Sequence, residues 1–198
     1  FIYSFGNFLF TLGIHQSVVN SVVLEPFLLI NTNENMLAFA NGQPIPHIIN
    51  NIFVPTFGMV GGTGSTISLL IAIFIFSRQK SAKQVARLSL APGLFNINEP
   101  AIFGLPIVFN LPLMIPFVLL PAIGIYFAWL CTTLGLMSRC VVMIPWTPPP
   151  ILSAWLATAG DWRAVVVQLA IIVFGVFFYL PFLKIAERVA LKNSGIEN

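Results

Sequence analysis

Asn96-Ile97-Asn98-Glu99-Pro100 places one carboxylate and two carboxamides in an apolar setting. Ala91-Pro92-Gly93-Leu94-Phe95 precedes it, and Ala101-Ile102-Phe103-Gly104-Leu105-Pro106-Ile107 follows. Polar groups are costly among apolar residues unless something pairs with them. Such a set suits a broken element lining a polar cavity inside a membrane protein, where a transporter would put a substrate-binding carboxylate. The plainer alternative is a carboxylate capping the backbone N–H groups of a helix end. His15, in Leu12-Gly13-Ile14-His15-Gln16-Ser17, is a second candidate, because an imidazole in an apolar span usually faces a bundle interior. A structural histidine bonded to a neighbouring helix explains it equally well. Trp146, in Pro145-Trp146-Thr147-Pro148-Pro149-Pro150, offers a rigid aromatic face to a sugar ring, or a membrane-interface anchor.

Other polar residues point less far. Gly61-Gly62-Thr63-Gly64-Ser65-Thr66 lacks the lysine and the strand of a phosphate loop, and reads as a tight turn whose hydroxyls satisfy freed backbone groups. His47 reads as a loop residue, and Glu25 as a cap or a side chain reaching for the interface. No nucleophile–base–orienter set suggests a hydrolase. No ligand cluster suggests a metal, and no cofactor is implied. Cys131 and Cys140 fit no metal or redox spacing and read as small apolar fillers.

The elements that must position these groups belong in a bilayer. The chain has 198 residues, 58% hydrophobic and 8% charged, with 19 Phe and a mean hydropathy of +0.94. Soluble domains carry roughly 25% charged residues. The net charge of +3 is too small to argue for nucleic acid. The chain opens at Phe1 inside an apolar run, without a signal peptide, and reads as a piece of a longer protein.

Along the chain, 1–30 reads as a first span and 31–47 as a polar loop. Residues 48–76 form a span broken at Pro55 and at the glycine turn. Residues 77–88 hold Arg78, Lys80, Lys83 and Arg87 without an acid, which the positive-inside rule makes a cytoplasmic loop. Residues 89–106 form a second broken element, since Pro92, Pro100 and Pro106 oppose a continuous helix. Residues 107–137 form a long proline-containing span, and 165–183 the cleanest one, with a basic, cytoplasmic tail after it. The predicted fold is an all-α polytopic membrane bundle with two re-entrant hairpins, around Pro55–Thr66 and Pro92–Pro106.

The order of Leu12-Gly13-Ile14-His15, the glycine turn, the block from Gly93 to Ile107 and Pro145-Trp146-Thr147 resembles a membrane family. It is the EIIC component of the bacterial phosphotransferase system, in its lactose/cellobiose/diacetylchitobiose class. The resemblance covers essentially the whole chain as the family's C-terminal, substrate-binding half, without the N-terminal helices that supply most of its dimer contact.

The resemblance implies a sugar permease of the inner membrane that takes a β-linked disaccharide (cellobiose, diacetylchitobiose or lactose). The sugar's hydroxyl is presented to a phosphocysteine on soluble EIIB, which EIIA charges upstream. The permease contributes no nucleophile of its own, so its status as an enzyme is left open. By motif, His15 and Glu99 are the catalytic and sugar-binding residues, with Asn98 as a further polar contact and Trp146 as a stacking surface. A full-length homodimer is implied. The chain departs from the family at Gln16, where glycine is usual, and lacks the family's acid upstream of the histidine. Two rivals remain: a proton-coupled secondary sugar transporter, and a non-transporting membrane fragment with a binding or regulatory role.

Overall fold

The computed structural model describes residues 2–193. Among them the secondary structure is all helical. Helix α1 spans Ile2–Thr11, and α2 (Ser17–Val19) runs through a π-helical turn at Asn20–Leu24 into α3 (Glu25–Ala40). Helix α4 (Phe53–Gly58) leads through a 3-10 turn at Thr63–Ser65 into α5 (Thr66–Phe76). Then follow α6 (Lys80–Leu94), α7 (Glu99–Gly104), α8 (Leu111–Thr133), α9 (Leu152–Ala157) and α10 (Trp162–Asn193).

Three segments are long and apolar enough to cross a membrane: Phe53–Phe76, Leu111–Thr133 and Trp162–Lys192. Within its most apolar stretch the first is 72% buried by the rest of the protein, against 39% and 33% for the others. The broken segment therefore lies inside, and α8 and α10 present their outer faces to the surroundings. Helix α10 packs on α8 and α5, while α1 and α4 both pack on α8. One core cluster joins Leu69, Leu70 and Ile73 of α5 to Phe117 and Leu120 of α8 and Tyr179 of α10. A second joins Phe53 and Phe57 of α4 to Ala128 of α8 and Ile171 of α10, and takes in the buried Cys131 and Cys140.

The all-helical bundle matches the reading of the sequence, and four boundaries differ from it. The 1–30 span is not continuous, because α1 stops at Thr11 and the chain turns at Gly13 (φ +91°). The polar loop predicted at 31–47 is helical as far as Ala40. Its amides serve as internal partners: Asn35 is fully buried and donates to the carbonyls of His47 (2.8 Å) and Cys140 (3.1 Å). The basic loop at 77–88 is largely the first half of α6, whose inner face carries Ala86, Ser89 and Gly93. The basic side chains lie on its remaining surface, so the absence of acids marked a helix face rather than a loop. The tail after 183 continues α10, with Glu187 accepting from the Ser77 hydroxyl and the Gln79 side chain donating to the Glu187 carbonyl.

Both broken elements consist of two helices joined by a turn: α4 to α5, and α6 to α7. Proline occurs inside α8 (Pro116, Pro121) and α10 (Pro181). Packed spans tolerate it because neighbouring groups satisfy the freed carbonyls.

Asp161 fastens the start of α10 to the turn after α8. It accepts from the Ser138 N–H at 2.7 Å and the Arg163 N–H at 3.0 Å, and pairs with the Arg163 guanidinium. Burial alone would raise the Asp161 carboxyl. The hydrogen bonds from Arg163 and Ser138 outweigh it and hold the group well below the usual carboxylate range. A depressed folded pKa stabilises the fold fully above the unfolded value of about 4, and that contribution is lost as pH falls toward the folded value. Asp161→Asn should therefore lower stability by about 1–2 kcal/mol at pH 7. The gap between variant and parent in detergent melts should close as pH drops below about 4.

Candidate functional site

The site begins with how α6 ends. The Asn96 N–H donates to the Gly93 carbonyl (3.1 Å) and the Ile97 N–H to the Pro92 carbonyl (3.0 Å), with Asn96 left-handed at φ +64°. This is a helix stop that asparagine tolerates better than most residues. It turns the chain so that Asn98 precedes α7, with Glu99 and Pro100 in that helix's first turn.

Neither asparagine caps its own helix. Both reach across to the other hairpin. Asn96 Oδ1 accepts from the backbone N–H groups of Gly61 (2.8 Å) and Gly62 (3.1 Å). Asn98 Nδ2 donates to the Thr63 carbonyl (2.7 Å) and to Thr66 Oγ1 (2.9 Å). The Thr66 hydroxyl in turn donates to the Gly61 carbonyl (2.7 Å), and the Tyr179 hydroxyl to the Gly64 carbonyl (2.7 Å). Gly62 sits at φ +101°, and a Cβ there would fall 2.4 Å from Asn98 Cγ. Only glycine allows the two tips to approach this closely.

The same latch reaches a third element. The Asn96 amide donates to the Trp146 carbonyl and, at 3.4 Å, to that of Pro148. From α10 the buried Gln168 accepts from the Ile151 N–H (2.6 Å) and donates to the Thr56 carbonyl (2.7 Å) and Ser153 Oγ (2.9 Å). It holds Ile151 at φ +76°, unusual for a β-branched residue, and so fixes the proline run that carries Trp146.

His15 emerges from an equivalent break. The Gly13 N–H donates to the Phe10 carbonyl and the Ile14 N–H to the Leu9 carbonyl, both at 3.0 Å, which closes α1. The imidazole packs on Phe10, with ring centroids 4.6 Å apart. The Ser17 N–H donates to Nδ1 at 3.3 Å, and Ser17 Oγ lies 2.8 Å from the same nitrogen. With Nδ1 accepting, the proton of the neutral ring sits on Nε2. Nε2 faces Glu99 Oε1 at 3.9 Å, and both side chains are about half exposed. That gap exceeds a direct hydrogen bond. A hydroxyl oxygen about 2.8 Å from each atom can sit astride the pair, accepting from Nε2–H and donating to the carboxylate.

A cleft of about 320 Å³ begins one residue beyond His15, and neither His15 nor Glu99 is among its lining residues. Tyr3, Gln16, Ser17, Asn20 and Glu25 line part of it, and Asn51, Pro55, Met59 and Trp146 line another. His15 immediately precedes two of these lining residues, Gln16 and Ser17. The volume lies at the lower end for small-molecule sites. Of the residues singled out from the sequence, His15 and Glu99 come together and Trp146 borders the cleft. Asn98 is 3% exposed, with its amide N–H groups committed to Thr63 and Thr66. Sequence reasoning missed Asn96 as the hub and Gln168 as its support. A lone amide inside the apolar run 165–183 was the available signal for Gln168.

Comparison with known proteins decides the family. The family model described as "Phosphotransferase system, EIIC" matches residues 1–121. The chain is a member of that family. It is 42% identical over 151 residues to the cellobiose-specific EIIC component of Lactococcus lactis, covering 72% of this chain and 31% of that one. It is 34% identical over 186 residues to the lichenan permease IIC component of Bacillus subtilis, covering 93% and 41%. The crystal structure of ChbC, the IIC component from the N,N'-diacetylchitobiose-specific phosphotransferase system, superposes with a TM-score of 0.90. It is 33% identical and covers 97% of this chain and 46% of that one. The chain thus spans less than half the length of these EIIC relatives.

The latch makes Asn98 a residue whose loss reads out in stability. Asn98→Ala should lower stability by about 1–3 kcal/mol, because it strands the Thr63 carbonyl. Asn98→Asp, which sets an oxygen against that carbonyl, should cost at least as much. Melting of the purified variants in detergent checks both. Unchanged melting would mean that the amide faces a ligand rather than hairpin α4–α5.

Proposed function

We propose that this chain is the C-terminal, sugar-binding part of a phosphoenolpyruvate-dependent phosphotransferase permease. It carries a β-linked disaccharide (cellobiose, diacetylchitobiose or lactose) across the bacterial inner membrane and presents a hydroxyl for phosphorylation by EIIB. The observation that carries the reading is the facing of His15 Nε2 and Glu99 Oε1 across 3.9 Å, with Gln16 and Ser17 next to His15 lining a cleft, in a chain of the EIIC family. Relatives bearing cellobiose and diacetylchitobiose names support the sugar class.

In this reading the sugar hydroxyl sits between the two side chains. Nε2–H donates to its oxygen and orients a lone pair outward. Glu99 accepts its proton as the oxygen attacks phosphorus on the EIIB phosphocysteine. The new O–P bond forms as the S–P bond breaks, and EIIB leaves as thiolate. Glu99 is assigned as base because His15 in this tautomer offers no free acceptor nitrogen. Phosphoryl transfer asks the protein mainly for positioning, which the latch supplies. The two hairpins are re-entrant, with their tips inside the membrane at the cleft, as in transporters whose broken helices surround the substrate. Trp146 stacks a ring of the sugar. Helix α6 and the C-terminus face the cytoplasm. Full-length copies pair as a homodimer, and EIIA charges EIIB.

Glu99→Gln keeps the shape and removes the base. Sugar-phosphate formation from phosphoenolpyruvate, with the soluble phosphotransferase proteins present, should fall at least about 100-fold, while melting and oligomeric state stay as in the parent. Retained phosphorylation in that variant would refute the site. The exposed Lys80 and Arg87 of α6 have no acidic partner among the described residues and suit docking of EIIB. Reversing both to Glu should raise the EIIB concentration needed for half-maximal rate several-fold at low salt and little at high salt. Equal half-maximal concentrations at low salt would remove α6 from the docking surface.

A further inference from the structure

Two exposed aromatic rings belong to the elements that carry the facing pair, one to each. Phe103 lies four residues after Glu99 in α7, on the same helix face, and is 64% exposed. Phe109 is 74% exposed, and its N–H donates to the Thr11 carbonyl (3.1 Å), next to the Phe10 ring on which His15 packs. Phe109 also has an unusual backbone. At φ +58° it sits in the left-handed region, where a bulky residue is an outlier, and such strain clusters at functional sites. Ile107 is fully buried and Val108 packs on the same core, and Phe109 then leaves that core for the surface.

Neither ring stands at the level of lipid tails. Helices α8 and α10 run antiparallel, with Leu120 against Gly175 and Gly124 against Ile171. Ala164–Leu183 of α10 carries no charge and, at 1.5 Å per residue, spans about 30 Å, the thickness of the hydrocarbon core. Lys184, Glu187 and Arg188 follow it. Gly104, directly after Phe103, and Asn110, directly after Phe109, line one cavity together with Glu187. Both rings are therefore level with the charged end of α10, past its apolar span. Gln79, at the start of the basic helix α6, bonds the Glu187 carbonyl, so the rings and the basic residues share one end of the bundle. Large apolar side chains exposed outside the hydrocarbon mark a contact with a partner.

We infer that Phe103 and Phe109 are the apolar contact on which EIIB seats, positioning its phosphocysteine over the hydroxyl held between His15 and Glu99 and keeping water out of the transfer. The inference rests on the reading of the chain as a phosphotransferase permease, and adds to it two positioning residues at the same site. The occupant follows from the reaction. A phosphocysteine that reaches that hydroxyl must cover the surface next to both side chains, and aromatic rings at such a surface carry much of a binding energy. The basic residues of α6 then supply attraction at a distance, and the rings supply the close fit.

The test is the rate of cellobiose phosphorylation by the full chain against the concentration of phosphorylated EIIB, for the parent, Phe103→Gln, Phe103→Leu and Phe109→Asn. Melting and cellobiose binding are measured alongside. Asparagine tolerates the left-handed backbone better than phenylalanine, so Phe109→Asn should melt at or above the parent's temperature. Phe103→Gln and Phe109→Asn should each raise the EIIB concentration for half-maximal rate roughly five- to tenfold, with cellobiose binding unchanged. Phe103→Leu should restore most of that loss. The rise should persist at high salt, unlike the effect of reversing Lys80 and Arg87. If the parent phosphorylates cellobiose and the half-maximal EIIB concentration is unchanged in both variants, the rings face lipid or another part of the protein, and the contact is refuted while the permease reading stands. A matching loss of cellobiose binding would also refute it, since the rings would then serve the sugar. If the parent forms no sugar phosphate, the permease reading falls and the contact falls with it.

Discussion

Two asparagine side chains hold this molecule's interior together. A chain that stops being helical inside an apolar bundle exposes backbone N–H and C=O groups that no water can reach, and each must find a partner. The glycine turn at 61–64 and the stop after α6 both create such groups. Asn96 and Asn98 answer the first hairpin's need from the second, accepting from Gly61 and Gly62 and donating to Thr63. An asparagine amide offers donor and acceptor on one short, rigid arm, so each hairpin becomes the solution to the other's unsatisfied backbone. Neither tip is complete alone.

This constraint explains the site's placement. Glu99 directly follows Asn98, so the bond that closes the hairpins also sets the carboxylate's position. His15 is fixed independently, by the stop at Gly13, by packing on Phe10 and by Ser17 on Nδ1. The two come within 3.9 Å from separate breaks in the helical framework. Asn96 adds the carbonyl of Trp146, so the aromatic rim of the cleft belongs to the same unit. A site built on latched helix ends is stiff, which suits a reaction that depends on holding a hydroxyl in line.

Much of this was legible in the sequence. Apolar runs mark the spans, the prolines and glycines mark both breaks, and polar residues among apolar ones single out Glu99 and His15, which the fold brings within 3.9 Å. What was not legible depended on distance. The bonds from Asn98 to Thr63 and Thr66 are hidden because those partners are far away in sequence. Residues 31–40 looked like a loop because Asn31, Asn33 and Asn35 are polar, yet Asn35 works from inside a helix on carbonyls at 47 and 140. The 77–88 stretch looked like a loop because its charges are all of one sign, while the small residues Ala86, Ser89 and Gly93 that mark its inner face carry little hydrophobic signal. Glu25 reads from sequence as a cap or a side chain reaching for the interface, and only the fold shows it bordering the cleft.

A structure of the full chain with cellobiose bound would test the central claim most directly. The account predicts one sugar hydroxyl oxygen within about 3 Å of both His15 Nε2 and Glu99 Oε1, with Asn98 still bonded to Thr63. Cellobiose bound with no oxygen near either side chain, or with the two hairpin tips parted, would contradict it.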